Sequence, residues 1–283
     1  MDTFRAALFG VVQGLTEFLP ISSSGHLAVF HRICRAESEA MVPLGVVAHM
    51  GTLFAVLIFF RKELLMFTKA LAPTKLGSAF RNPSTLFVSM PEDPNKGILF
   101  GQRVLAMIII GSIPAGIVGI LLKDWIEQAF SSISIVGLMF LVTAVLLFLT
   151  KLPKAGEKTV WHFWLYGALI IGTAQAVAIM PGISRSGATI ATAVLLGFQR
   201  EFAARFSFLL SIPAITGAFL LEIGEISHLM GTRGFAELAL VFVFSFVVGY
   251  LSIAFLLRIV RKIHLFGFYC IIASVVTFLI VAR

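Results

Sequence analysis

Nine side chains in this sequence could do chemistry on a charged substrate, and they lie in two short stretches. In the first, QGLTEFLPISSSGH over 13–26, Glu17, Ser22, Ser23, Ser24 and His26 interrupt an apolar run. In the second, PGISRSGAT over 181–189, Ser184, Arg185, Ser186 and Thr189 interrupt another. A guanidinium binds phosphate oxygens as a planar fork. Each stretch runs through S-x-S-G and then opens a half-helix, LAVF after His26 and ATIATAVLLG after Gly187. Helix N-termini present free amide donors and a positive dipole end. Two of them converging with Arg185 suit a multiply charged anion. Glu17 would repel that anion, and a divalent cation between carboxylate and phosphates resolves the conflict. Ser or His beside a phosphoryl group can act as nucleophile or proton carrier. Gln13 lies one helical turn before Glu17 and can point into the same cavity. A purely structural Glu17–Arg185 ion pair would leave the surplus hydroxyls and the imidazole unexplained.

The composition says where these residues sit. The chain has 283 residues, 59% hydrophobic and 13% charged, with a mean hydropathy of +1.00. Soluble domains carry about 25% charged residues, so this reads as an integral membrane protein. Its apolar runs are long and continuous, as helices require, and lack the ten-residue alternation of barrel strands. The net charge of +8 is read as basic loops that set orientation, with no nucleic-acid partner. Cys34 and Cys270 form no CxxC pair and read as structurally neutral. The N-terminus lacks a compact basic region and a cleavage site, so no cleaved signal is expected. There is no Walker loop, GxGxxG or zinc spacing. His49, within a span beside Gly51 and Thr52, reads as a packed, hydrogen-bonded histidine ahead of the alternative, a ligand. His31, His162, His228 and His264 fall at expected membrane edges and receive no role.

Six runs are long enough to cross a bilayer: about 44–60, 98–122, 133–150, 206–223, 236–257 and 265–282. Two more are broken, 4–30 at Glu17 to His26 and 160–198 at Met180 to Gly187. Each half is too short to span, and irregular backbone at membrane depth must be buried in protein or line a wet cavity. Both are read as re-entrant helix–loop–helix hairpins. If 61–97, a surface loop or interfacial helix, is cytoplasmic, the cytoplasmic segments hold fourteen Lys and Arg, against six in the external loops and termini. That is the expected bias. The hairpins then enter from opposite sides, as in an inverted repeat. A shift of 162 residues lays Gly10, Gln13, Ile21, Ser22, Ser24 and Gly25 on Gly172, Gln175, Ile183, Ser184, Ser186 and Gly187. The expected fold is an all-α polytopic membrane protein with an inverted-topology repeat, six transmembrane helices plus two re-entrant hairpins. It is a single membrane domain over 1–283, with repeats of about 1–150 and 160–283. SIPAGIVG at 112–119 and SIPAITGA at 211–218 do not fit the repeat offset and read as proline-kinked packing segments.

At the two polar stretches the sequence resembles the undecaprenyl pyrophosphate phosphatases of the BacA/UppP family. Their signatures are [E/Q]-x-x-x-E running into Pro-x-Ser-Ser-x-Gly-His, and P-G-x-S-R-S-x-x-T. Here these are Gln13 to Glu17, Pro20 to His26, and Pro181 to Thr189. The resemblance covers the whole chain in length, span order and motif placement. It implies hydrolysis of a C55 polyprenyl pyrophosphate to the monophosphate carrier of peptidoglycan synthesis, and with it bacitracin resistance. It also implies a Mg2+ or Ca2+ cofactor and a multi-pass protein of the bacterial cell membrane whose site faces outward. Glu17, His26 and Arg185 match essential positions. Ser23 matches a proposed nucleophile, as does His26, and a His26-activated water is the third scheme. Ser22, Ser24, Ser184, Ser186 and Thr189 match the phosphate-binding surround. Glu17 is the metal ligand, with Gln13 a second candidate through its amide oxygen, where many members have Glu. Besides the polyprenyl substrate the partners are membrane lipids, and a homodimer is compatible with this reading. The alternative is a lipid-phosphate flippase using the same midplane site, since inverted repeats with broken helices are common among transporters. A second lipid-phosphatase class is set aside because its K-x6-R-P and S-R-x5-H-x3-D stretches are missing.

Overall fold

The computed structural model describes residues 3–34, 41–70, 94–153, 156, 158, 165–232 and 235–282. Twelve α-helices run through them: α1 (Thr3–Phe18), α2 (Ser23–Cys34), α3 (Met41–Phe59), α4 (Arg61–Ala70), α5 (Pro94–Leu121), α6 (Lys123–Ser131), α7 (Ile133–Leu149), α8 (Leu165–Val177), α9 (Arg185–Leu195), α10 (Arg200–Thr232), α11 (Phe235–Ile259) and α12 (Phe266–Val281). A 3-10 turn over Val260–Leu265 joins the last two. Among the described residues the only β pairing is one isolated bridge, Lys158 to Phe198. Among the described residues three stretches are long and apolar enough to cross a membrane: Gly101–Leu121, Arg200–Leu221, and Phe235–Val281, which runs through α11 and α12. Leu44–Phe59, Ile133–Leu149 and Leu165–Val177 are shorter apolar helices. The protein is thus helical, with the makings of several membrane passes.

Each of the six expected runs coincides with a helix. The 61–97 segment begins as α4 and the 123–132 loop contains α6. Residues 71–93 and His162 lie outside the described residues, as do the side chains of Cys34 and His228. Both breaks are narrower than the sequence suggests. α1 continues through Glu17 to Phe18 and α2 starts at Ser23; α8 ends at Val177 and α9 starts at Arg185. The serines at the breaks are the reason. Ser22 Oγ accepts from the Gly25 amide at 3.2 Å, and Ser184 Oγ accepts from the Gly187 amide at 3.0 Å. A hydroxyl that satisfies the free amide three residues on caps a helix start. The second helix of each pair therefore begins directly after its capping serine.

Helix contacts are built on small residues, as expected where lipid supplies no hydrophobic drive between helices. α1 packs against α11, α11 against α3, α5 against α8, and α7 against α12. On α1, a Cβ at Gly10 would lie 2.7 Å from the Val241 carbonyl oxygen, and one at Gly14 would lie 2.8 Å from the Gly249 amide. Ser245 Oγ donates to the Gly10 carbonyl at 3.2 Å across that contact, and Ser274 Oγ donates to the Gly137 carbonyl at 2.7 Å between α12 and α7. Behind these contacts a core gathers Phe18, Phe60, Phe202, Phe206 and Phe208. At the α5–α8 crossing a Cβ on Gly172 would collide with the Gly111 carbonyl oxygen. Gly172→Ala must push α8 off α5, and a destabilisation of about 1–3 kcal/mol is expected. It is read as a lower thermal midpoint in detergent. Gly116→Ala, with nothing within 4 Å of its Cβ, should leave that midpoint unchanged.

The two SIPA segments do more than pack. Pro114 lies inside α5 and Pro213 inside α10. Ser112, Ala115, Gly116, Pro213, Ala214 and Gly217 line one large cavity. A Cβ at Gly116 or Gly217 meets nothing within 4 Å. Both segments carry small side chains because the cavity wall passes there.

Candidate active site

The two capped breaks meet. Ser186 Oγ donates to the Leu19 carbonyl at 3.2 Å, tying the second break to the first. Within each break the paired serines touch, Ser22 with Ser24 and Ser184 with Ser186, both at 3.2 Å between hydroxyls. The pattern of serine pair plus amide cap is the same in both. The backbone differs: Ser22 has a positive φ of 69°, whereas in the second break the positive φ falls on Gly182 at 96°. A non-glycine residue in that region is strained and is held there by its surroundings.

What holds Ser22 is His26. Its Nδ1–H donates to the Ser22 carbonyl at 2.7 Å, so Nε2 accepts from the Tyr269 hydroxyl at 2.8 Å. The ring stacks on Tyr269, with centroids 5.6 Å apart, and sits edge-on to Phe140. Both nitrogens are engaged, and the ring lies between α2, α7 and α12 rather than on the cavity. The second break is pinned from α7. Thr143 Oγ1 donates to the Gly182 carbonyl and accepts from the Ser184 amide, both at 3.0 Å. Neither Tyr269 nor Thr143 stands out in the sequence. Both read there as ordinary residues of apolar spans.

Glu17 is the centre of the cluster. It is 6% exposed at the end of α1. Its Oε1 accepts directly from Arg185 Nη2. Its Oε2 accepts from Ser23 Oγ at 2.6 Å and from Gln13 Nε2 at 3.0 Å. His49 Nε2 stands 3.6 Å from the same Oε2. The hydrogen-bonded part of the expectation for His49 holds, and the packed part does not. Its Nδ1 is hydrogen-bonded to the Gly45 carbonyl at 2.7 Å, as a packed histidine's would be, but the side chain is 37% exposed and lines the cavity. The sequence places His49 mid-span, and no periodicity says that its face meets α1 at Glu17.

The cavity, about 1540 Å³, has Glu17, Ser23, Ser24, His49, Ser184 and Arg185 on its wall. Thr189 faces inward instead: its hydroxyl donates to the Arg185 carbonyl at 2.8 Å and meets Ser207 Oγ at 2.6 Å, fastening α9 to α10. Ser22 and Ser186 are likewise buried supports. Some bonding capacity is left over. Arg185 Nη1, Gln13 Oε1 and both amide atoms of Gln175 are buried without a hydrogen-bond partner. Unmet buried polar groups are costly and rare. Arg185 and Gln175 lie on the cavity wall, where a ligand's oxygens would satisfy the Arg185 Nη1 and Gln175 Nε2 donors.

For a cation, the donor chemistry fits. The Glu17 carboxylate and His49 Nε2 face each other across 3.6 Å, and Gln13, bonded to that carboxylate through Nε2, keeps an unpartnered Oε1. Among the described residues no group of three or more His, Cys, Asp and Glu gathers, here or elsewhere, so an ion at this point would draw on the Gln13 amide oxygen as well. The arrangement pairs a hydroxyl on a carboxylate with a half-free guanidinium, above a wide cavity with a small-residue wall. Such a site can bind an anion and deprotonate a serine.

Known proteins place the chain. The family described as bacitracin resistance protein BacA matches residues 6–276. Three proteins called undecaprenyl-diphosphatase are similar over nearly their whole length. The one from Korarchaeum cryptofilum is 39% identical over 97% of this chain and 98% of its own. The one from Desulforapulum autotrophicum is 41% identical over 98% of each. The one from Methanosphaera stadtmanae is 37% identical over 99% and 98%. With a match of this extent, and both polar stretches meeting at one cavity, the chain belongs to the bacitracin resistance protein BacA family.

Proposed function

We propose that this protein hydrolyses undecaprenyl pyrophosphate to undecaprenyl phosphate and inorganic phosphate, with Ser23 as nucleophile. The observation that carries this reading is the Ser23 hydroxyl donating at 2.6 Å to a Glu17 carboxylate that Arg185 also holds. The name shared by the relatives supplies the substrate class. The isoprenoid tail lies along the small-residue wall, where Gly116 and Gly217 leave room. Arg185 Nη1, the N-terminal amides of α9 and Gln175 take phosphate oxygens. Glu17 accepts the Ser23 proton as Oγ attacks the terminal phosphorus. The P–O bond to the lipid phosphate breaks, and the lipid monophosphate leaves with the electron pair. The proton taken up by Glu17 leaves with the lipid monophosphate, which restores the carboxylate. Glu17 then takes a proton from water as that water attacks the phosphoserine, and returns it to Ser23 Oγ as the Oγ–P bond breaks. Phosphoryl transfer depends mainly on position and charge neutralisation, which this inventory supplies. Ser22, Ser24, Ser184, Ser186 and Thr189 build the two helix starts that receive the phosphates. His26 positions Ser22, and through it Ser23.

Glu17, with Gln13, would hold Mg2+ or Ca2+. When bound, the cation shields the carboxylate from the substrate's charge and draws electron density from the phosphoryl oxygens. The architecture that suits this work is one membrane domain over 1–283 in two inverted repeats, about 1–150 and 160–283, with six crossings and two re-entrant hairpins. The reciprocal packing of α1 on α11 and α8 on α5 supports the repeat. So does the matched serine capping. In that topology the protein sits in the cell membrane with its site facing outward. Every residue named comes from one chain, so a homodimer would not be needed to complete the site.

The test is phosphate release by pure protein in detergent, with EDTA and metal add-back. Release should fall to background in EDTA and return with Mg2+ or Ca2+. Lipid translocation in vesicles without phosphate release would replace this reading with the flippase. Thr143→Val is a subtler check. It leaves the Gly182 carbonyl and the Ser184 amide without their partner, and a buried unmet group costs about 1–3 kcal/mol. Phosphate release should drop roughly tenfold, by the same scale, with Thr143→Ser close to wild type.

A further inference from the structure

We infer that His49 supplies a nitrogen ligand to the cation beside Glu17, which makes the site a mixed nitrogen–oxygen one. This rests on the cation-dependent reading above. The His49 Nδ1–H donates to the Gly45 carbonyl at 2.7 Å. A carbonyl can only accept, so in the neutral ring the proton is on Nδ1 and the lone pair falls on Nε2. Histidines that ligate metals are oriented in this way, by a backbone carbonyl or carboxylate on the other nitrogen. Nε2 is then aimed at Glu17 Oε2 from 3.6 Å. That is beyond hydrogen-bond range, and two acceptors face each other across the gap. Gln13, already bonded to Oε2 through Nε2, brings a third acceptor in its buried, unpartnered Oε1. Arg185 is the cationic group on the carboxylate's other oxygen. His49 lines the cavity, so an ion reaches the point from the substrate side. One imidazole beside oxygen donors favours Mn2+ over the hard Ca2+, which takes oxygen ligands.

The experiment adds Mn2+ alone to the full chain in detergent, without lipid, and reads nitrogen coupling to the bound ion by pulsed electron paramagnetic resonance. A single imidazole coupling is expected, and 15N-histidine labelling should change its isotope pattern. It should vanish in His49→Gln and persist in His31→Gln, since His31 lines the same cavity. Mn2+ affinity should fall at least about tenfold in His49→Gln. Bound Mn2+ with no nitrogen coupling overturns the assignment and leaves His49 as a direct partner of Glu17. So does a coupling that survives His49→Gln, or no Mn2+ binding at all. The labelled wild-type protein reports imidazole ligation by itself, so a misfolded variant does not rescue the idea. Phosphate release that survives EDTA would instead remove the cation reading. EDTA-sensitive release with nitrogen-free Mn2+ removes His49 only.

Discussion

Arg185→Ala abolishes phosphate release, by at least about a thousandfold on the scale of lost transition-state donors, while the protein still folds. The guanidinium does two jobs at once. Nη2 holds Glu17, and Nη1 is buried with no partner. A donor left open in this way is set aside for something that arrives, and charge grows on the phosphoryl oxygens as the bridging bond breaks. Removing one member of a buried ion pair can cost about 3–5 kcal/mol. Here the penalty is softened, because Glu17 keeps Ser23 and Gln13 as donors and lies beside an open cavity. Gel filtration and a melt in detergent separate folding from chemistry. Arg185→Lys retains the charge without the planar fork and should recover only a small part of the activity. A folded Arg185→Ala protein that releases phosphate at the wild-type rate would remove Arg185 from the mechanism.

Much of this site can be read from the sequence because it breaks the rules of its surroundings. Glu17 and Arg185 are charges in apolar runs, and their meeting follows from the cost of leaving either alone. Serines beside Pro and Gly mark both breaks. What cannot be read is which neighbour a residue on an ordinary-looking span faces. His49, Thr143 and Tyr269 sit in α3, α7 and α12. They acquire roles only because those helices cross the breaks at particular depths, which local periodicity does not encode. His26 is the converse. Its type suggests chemistry, but Ser22 and Tyr269 occupy both of its nitrogens. The breaks also come out shorter than expected, since capping lets Ser23 and Arg185 be helical. That matters chemically: both residues ride on helix first turns and line the same cavity.

The same geometry favours one of the three schemes for attack on phosphorus. Ser23 Oγ faces the cavity and gives its proton to Glu17 at 2.6 Å. To attack, His26 would have to release Tyr269 or the Ser22 carbonyl and turn from its stack toward the cavity. Ser22 would lose the bond that supports its positive φ. Trapping the protein with phosphorus-labelled substrate and quenching in acid and in alkali should therefore yield an acid-stable phosphoserine at Ser23. Ser23→Ala should lose the adduct and at least about a thousandfold in rate, as nucleophile removal does elsewhere. His26→Gln should keep the adduct. The glutamine amide can still reach the Ser22 carbonyl but not Tyr269 as well, so the rate should fall by roughly ten- to a hundredfold, the range for lost positioning groups. An acid-labile, alkali-stable phosphohistidine, absent in His26→Gln, would reverse the assignment. No adduct at all, together with retained activity in Ser23→Ala, would transfer the attack to a water, with Glu17 as its base. Only the first outcome uses the hydrogen bond already made between Ser23 and Glu17, and it asks no side chain of the cluster to change partners before the phosphate arrives.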